Sequence, residues 1–406
     1  MSVEICESGA GLIPRKGTAH KVARHVADVP PSGIRRFFEL VIGMDDVISL
    51  GVGEPDFRTP WNIREQAVYE IEKGHTTYTS NYGLIELREE LAEWLHAKYD
   101  VSYDPGSEIV ITVGASEAID IALRAILNPG EEVIVVEPCY VSYAPTVVFA
   151  GGVPVLFPTW QKDNFRINLE ELQKVVTPRT KAIMLNYPSN PTGSTFNRED
   201  LQLLADFVER NDLLVISDEI YAELTYEGQH VSLASFPGMK DHVVIVSGFS
   251  KSHAMTGWRL GYLCAPEELA AAMVKIHQYT MLCAPTVSQY AALEALRNSD
   301  GAIADMRREY EMRRDFIVSG FNELGLKCLM PEGAFYAFAN IQSTGMTSEQ
   351  FCCDLLQERK VAVVPGNAFG ACGEGFIRAS YASSFDRLEK AIDKIGRFLR
   401  KQATVI

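Results

Sequence analysis

The sequence predicts an α/β fold: a large domain with a mostly parallel mixed sheet flanked by helices, joined to a smaller α+β domain. Two observations predict it. Between residues 109 and 247, five short apolar runs alternate with helical segments, and from about 267 the pattern changes to long helices followed by shorter strands. Strands covered on both faces read as continuous Val/Ile/Leu runs. Their alternation with helical patterns marks βαβ units and a layered architecture.

The elements follow in order. Residues 1–30 are mixed and turn-rich, end in Pro30-Pro31, and read as an arm rather than a packed unit. IVITV (109–113) is the first buried run, and after it Ile119, Ala122, Leu123, Ile126 and Leu127 recur at helical spacing. EVIVV (132–136) and AIMLN (182–186) are further strands. A helix opened by Asn197 then carries Leu201, Leu204, Ala205 and Val208. LLVIS (213–217) and VVIVS (243–247) complete the series. Helices are expected over 267–281, 288–298 and 302–323, strands over 335–341, 361–365 and 376–382, and a last helix from Phe385. The division that results is an arm (1–30), a large domain (61–285), and a small domain made of 31–60 with 286–406.

Composition narrows the function. The 406 residues are 47 % apolar and 22 % charged, with a formal net charge of −15. That balance is the wrong sign for nucleic acid, which selects a basic footprint, and for an anionic membrane surface. No apolar run approaches the ~18 residues of a membrane span, and the N-terminus lacks a basic region followed by an apolar stretch. The eight cysteines are scattered without a CxxC pair, so they read as thiols in a cytoplasmic enzyme, with no metal site.

In open α/β sheets, ligands collect beyond the carboxyl ends of the strands. The residues there are Gly114-Ala115-Ser116, Glu137-Pro138-Cys139-Tyr140, Tyr187-Pro188-Ser189-Asn190-Pro191, Asp218-Glu219-Ile220-Tyr221 and Gly248-Phe249-Ser250-Lys251. Together they offer an anion cradle at a helix start, an aromatic plate, an amide, a carboxylate with a phenol, and a lysine. A pyridine ring bearing an aldehyde and a phosphate needs those parts. An amine reacts with the aldehyde, a carboxylate keeps the ring nitrogen protonated, and an aromatic face stacks on the ring. Helix-start N–H groups and an arginine hold the phosphate.

The run GFSKSHAMTGWRLG (248–261) resembles the cofactor-attachment motif of the class I/II aminotransferases, enzymes of the fold-type-I pyridoxal-phosphate architecture. GVGEPDF (51–57), YTSNYGLIELR (78–88), NYPSNPTG (186–193), SDEIY (217–221) and GFIRASYA (375–382) extend the resemblance, in family order, from about Ile34 to the C-terminus. It implies pyridoxal 5'-phosphate as cofactor and transfer of an amino group between an amino acid and a 2-oxo acid.

By the same resemblance, Lys251 matches the Schiff-base lysine that also moves the proton. Asp218 matches the carboxylate at the pyridine nitrogen. Tyr221 and Asn190 match the groups bonding the ring oxygen, and Tyr140 the stacking aromatic. Ala115, Ser116, Ser250 and Arg259 match the phosphate cradle. Tyr78 matches a tyrosine reaching the phosphate in the neighbouring subunit, which implies a homodimer. Arg378, with Gly53 and Asn190, matches the grip on the substrate α-carboxylate.

The strand pattern gives Arg378 a half-buried position opposite Ile377 and Ala379, with the substrate as its partner. His253, beside Lys251, reads as a core histidine rather than a base, and the glycine-rich stretch 366–375 as a loop rather than a phosphate site.

Within the family the nearest resemblance is to archaeal aromatic aminotransferases of the gamma subgroup. Some aspartate-specific relatives carry a lysine where this chain has Ser116, which favours aromatic substrates with 2-oxoglutarate as acceptor and leaves aspartate or a broad range open. The arm around Ser32-Gly33 is another source of contacts. A carbon–sulfur β-lyase would use the same lysine and carboxylate. A non-catalytic regulator on this scaffold would need a DNA-binding module ahead of the fold, and only about 30 arm residues precede it here.

Overall fold

A computed structural model describes residues 17–31, 33, 44 and 46–403. Ser32 and the arm over 1–16 lie outside the described residues. The larger sheet has seven strands: β2 (Ile109–Thr112), β3 (Glu132–Glu137), β4 (Val153–Pro158), β5 (Thr180–Asn186), β6 (Leu214–Asp218), β7 (Val243–Gly248) and β8 (Gly261–Cys264). Their order is β2-β8-β7-β6-β5-β3-β4, and β8 alone runs against its neighbours.

Side chains alternate across each strand and sort the apolar residues into two layers. Ile109, Ile111, Ile134, Ile183, Leu185, Val215, Val243 and Ile245 share one core. They pack with Leu87, Leu91 and Leu95 of the helix Ile85–Tyr99 and with Leu201, Leu204 and Val208 of the helix Arg198–Arg210. Their strand neighbours Val110, Val133, Val135, Ala182, Met184, Ile216, Val244 and Val246 form a second core on the other face. There they meet the helices Ala115–Ile126 and Glu267–Thr280. As expected, Asn197 opens its helix, its side chain accepting from the Asp200 N–H at 2.7 Å.

Two strands of this sheet, β4 and β8, escape the sequence reading. β4 is an edge strand interrupted by Pro154 and half exposed, so it lacks a continuous apolar run. β8 is only four residues long and merges into the motif before it.

A separate three-stranded antiparallel sheet runs in the order β11 (Val364–Pro365), β12 (Phe376–Ser380), β9 (Tyr336–Asn340). The predicted strand over 361–365 is two short strands. Its first part, β10 (Val361–Ala362), pairs instead with β1 (Ile48–Ser49). The helices Asp300–Glu323, Ser348–Arg359 and Phe385–Ala403 cover this sheet through Phe321, Phe351, Leu355, Ile395 and Phe398. Tyr221 and Leu224, which follow β6, belong to this same apolar cluster, so the two packed bodies meet beside the carboxyl ends of the large sheet.

Candidate active site

The strands β2, β3, β5, β6 and β7 all end at the same edge, and β8 begins there. A cavity of about 390 Å³ opens at that edge and is closed on its far side by β9 and β12. Of the sequence-selected residues, Lys251, Asp218, Tyr221, Tyr140 and Asn190 line it, as do Ala115, Ser116, Ser250, Arg259, Gly53 and Arg378. Tyr78 does not. It lies elsewhere on the protomer surface with 80 % of its area exposed. His253 is buried away from the cavity against Ser252, and the stretch 366–375 forms two short 3₁₀ turns, Gly366–Phe369 and Ala371–Gly373.

Asp218 follows Ile216 by two residues and so points to the same face of the sheet. One carboxylate oxygen accepts from the Tyr143 hydroxyl at 2.6 Å and the other from the Ile220 N–H at 3.1 Å. Burial raises its pKa to about 6, while these two donors act in the opposite direction. Glu219 points the other way, into a closed network with His230 at 2.8 Å and the hydroxyls of Ser217 and Ser232, which fixes the strand end behind Asp218.

Lys251 follows β7, and its Nζ donates to the Gly53 carbonyl at 2.6 Å. Its pKa is lowered to about 8, by burial first, with Arg378 and Arg259 acting in the same direction and Glu54 and Asp218 against them. An amine so placed is partly neutral near neutral pH and available as a nucleophile or base.

Arg259 adopts a left-handed backbone, with φ of 51°. It closes on the start of the helix Ala115–Ile126: a Cβ on Gly114 would lie 2.6 Å from its Nη2, and one on Gly261 would lie 2.5 Å from the Ala115 nitrogen. Only glycines permit that approach, which gathers helix-start N–H groups and a guanidinium into one anion-binding corner.

Arg378 is 2 % exposed, not half buried as its strand pattern suggests, because β12 is the central strand of its sheet. It already has protein partners. Its Nη atoms donate to Asn190 Oδ1 at 2.8 Å and to the Gly51 carbonyl at 2.6 Å, while Nε is buried without a partner among the described residues. The rings of Tyr336 and Phe369 lie 4.4 and 4.7 Å from its guanidinium carbon.

These residues fit pyridoxal phosphate on structural grounds. The glycine-walled corner at Arg259 suits its phosphate. The buried Asp218 carboxylate, which faces the cavity with no cation bonded to it among the described residues, suits a protonated ring nitrogen. The Lys251 amine suits its aldehyde.

Tyr143, Asn186 and Tyr336 also line the cavity and were not selected from sequence. Asn186 is the last residue of β5, and its side chain accepts from the Asn190 N–H at 2.9 Å and donates to the Asp218 carbonyl at 2.9 Å. Its place at a strand end was a usable signal, as was the three-residue spacing of Tyr143 from Tyr140. Tyr336 carries no local signal, because it arrives from the other sheet.

The family model for class I and II aminotransferases matches residues 45–395. The chain is 48 % identical to an aspartate aminotransferase of Pyrococcus abyssi, over 92 % of this chain and 97 % of that one. It is 45 % identical to aromatic-amino-acid aminotransferase 2 of Thermococcus litoralis, over 93 % and 98 %. The crystal structure of an aromatic aminotransferase from Pyrococcus horikoshii superposes with a TM-score of 0.87 at 46 % identity, covering 91 % of this chain and 99 % of that one. The chain is therefore a member of the class I and II aminotransferases, enzymes that use pyridoxal 5'-phosphate to transfer an amino group from an amino acid to a 2-oxo acid.

Proposed function

We propose that the cavity is the transamination site of this enzyme, with an aromatic amino acid as preferred donor and 2-oxoglutarate as acceptor. The observation that carries the site is the meeting of the Lys251 amine, the Asp218 carboxylate and the Arg378 guanidinium in one enclosed space. Bound pyridoxal phosphate supplies the carbonyl that takes the amino group and a ring that draws off electrons.

The chain's residues do the rest. Ala115, Ser116, Ser250 and Arg259 anchor the phosphate, and Tyr140 stacks on the ring. Tyr221 and Asn190 hydrogen-bond the ring oxygen. Asp218 supplies the counter-charge for the ring nitrogen, and Tyr143 holds that carboxylate in place. Arg378 grips the substrate α-carboxylate with its Nε and the edges not used by Asn190 and Gly51, helped by the backbone at Gly53. Lys251 removes the proton from the substrate α-carbon and would deliver it to the carbon that was the cofactor's aldehyde, which requires an amine within hydrogen-bond reach of both positions.

The preference for aromatic donors rests on the wall. Among its described residues the only cations are Lys251, Arg259 and Arg378, each already committed, and Ser116 stands where a lysine would meet a second carboxylate. Beside the tyrosine rings assigned to the cofactor and to Arg378, the wall carries Ile119 and Ile220 rather than a further cation.

A homodimer is part of the reading. Tyr279 is 86 % exposed, and Met281, Val68, Tyr69 and Ile71 are exposed as well. The 77–82 segment carrying Tyr78 is tied to this region by Asn81 to the Leu282 carbonyl and Thr286 to the Thr77 carbonyl. An apolar group of this kind marks an interface, and the partner subunit's Tyr78 would complete the phosphate corner. Buried thiols at Cys139, Cys264, Cys328 and Cys352 support a cytoplasmic location.

The test is a donor panel with 2-oxoglutarate, scored by product. A new amino acid from Phe or Tyr supports the reading. Pyruvate with ammonia, or strict preference for aspartate, contradicts it.

A further inference from the structure

We infer that Tyr336 is a positioning residue that aims the Tyr221 hydroxyl proton into the cavity. The inference rests on the reading that Tyr221 serves the ring oxygen of pyridoxal phosphate.

Tyr336 comes from β9 of the small sheet, and its hydroxyl lies 2.8 Å from that of Tyr221, which follows β6 of the large one. Burial pushes the pKa of both phenols up, so both stay neutral and two protons are shared between two oxygens. Their order follows from what each oxygen can reach. Each hydroxyl has the other as its only hydrogen-bond partner among the described residues, and the Tyr336 oxygen is pressed over Gly53, where a Cβ would lie 2.5 Å away. A phenol has one proton to give, so if Tyr221 spends its own on the ring oxygen, the bond between the two hydroxyls requires Tyr336 as donor. Tyr221 is thereby held as acceptor on that side, and its own proton turns to the cavity that it lines.

A phenol that accepts one hydrogen bond is a stronger donor in the next. The Tyr336 ring meanwhile stacks under Arg378 at 4.4 Å, with Tyr140 also facing it. One side chain thus ties the carboxylate grip to the ring-oxygen contact across the junction of the two sheets.

The readout is the pH midpoint of the visible absorption of the holoenzyme without substrate, since a hydrogen bond donated to the ring oxygen stabilises its anionic form and lowers that midpoint. Y336F should raise the midpoint by roughly half to one pH unit, the weight of one neutral hydrogen bond. KM should change little, because the ring under Arg378 remains. Y221F should raise it at least as far, and Y221F/Y336F no further than Y221F alone. Fluorotyrosine at 336, a stronger donor, should move the midpoint down. If Y336F is silent while Y221F shifts, or if the double variant is additive, the relay is overturned and the Tyr221 assignment stands. If Y221F is also silent, both fall.

Discussion

The carboxyl edge of the large sheet and the surface around Tyr78 treat their side chains in opposite ways. At that edge Asp218 is buried and Lys251 half-buried, with the buried Arg378 of β12 opposite, and all three are hydrogen-bonded within the chain and turned to one cavity. Around Tyr78, phenols and apolar side chains stand in solvent although the backbone beneath them is pinned. Burying charge is tolerated where partners are built in, and exposing a rigid apolar surface is tolerated where a partner arrives. The first region gathers its charged groups within one chain; the second, on the proposed dimer, faces a partner.

Substitutions can break or sharpen that contrast. The largest effect is expected from Arg378→Leu, which removes the grip common to every amino acid and strands Asn190 Oδ1 and the Gly51 carbonyl. About 3–5 kcal/mol, or two to four orders of magnitude in kcat/KM, should be lost on all donors with cofactor content unchanged. Loss confined to one donor class would reassign Arg378 to side-chain selection.

Asp218→Ala should follow, slowing proton removal by roughly 10²–10³-fold as a preorganised counter-charge disappears. Single-turnover absorbance with one amino acid is the check, and an unchanged rate would contradict the assignment.

In the second region, Tyr78→Ala should weaken cofactor retention about tenfold or more, as expected for a lost hydrogen bond to a charged group, with little change in protomer stability. Light scattering should find the wild type dimeric. A fully active monomer would end the contrast.

The smallest effect concerns Glu137, which follows the same edge. Burial raises its pKa from 4.5 to about 7 beside Gly370, where a Cβ would sit 2.5 Å from the carboxyl carbon. A raised carboxyl pKa means that the folded state holds the proton more tightly than the unfolded one. Its stabilising effect is full below about 4.5 and is lost as pH rises through about 7. Glu137→Gln, fixed neutral, should therefore melt later than wild type at pH 8 and alike near pH 4. The difference should be about 1 kcal/mol after allowing for water at the carboxyl. Identical melting at both pH values would show that the carboxyl is solvated.

The same contrast explains how much was legible in the sequence. Strands sealed on both faces announce themselves as apolar runs, so β2, β3, β5, β6 and β7 and the residues at their ends were readable, and eleven of the twelve selected residues line one cavity. β4 was not, because an edge strand needs no continuous apolar run. Tyr336 was not, because its contact with Tyr221 spans 115 positions and only the tertiary fold creates it. The depth of Arg378 was misjudged for a related reason: strand alternation reports which face a residue takes, not that its strand is central.

The chemistry of the site depends first on Lys251. Its amine, held at 2.6 Å from the Gly53 carbonyl and shifted to about 8 chiefly by burial, is the proposed covalent attachment point of the cofactor. Borohydride reduction of the holoenzyme followed by peptide mapping tests this directly. The account predicts one pyridoxyl-labelled peptide, containing Lys251, and none in Lys251→Ala, whose turnover should fall by at least about 10²–10⁴-fold. A label on another lysine, or normal turnover by Lys251→Ala, would contradict it.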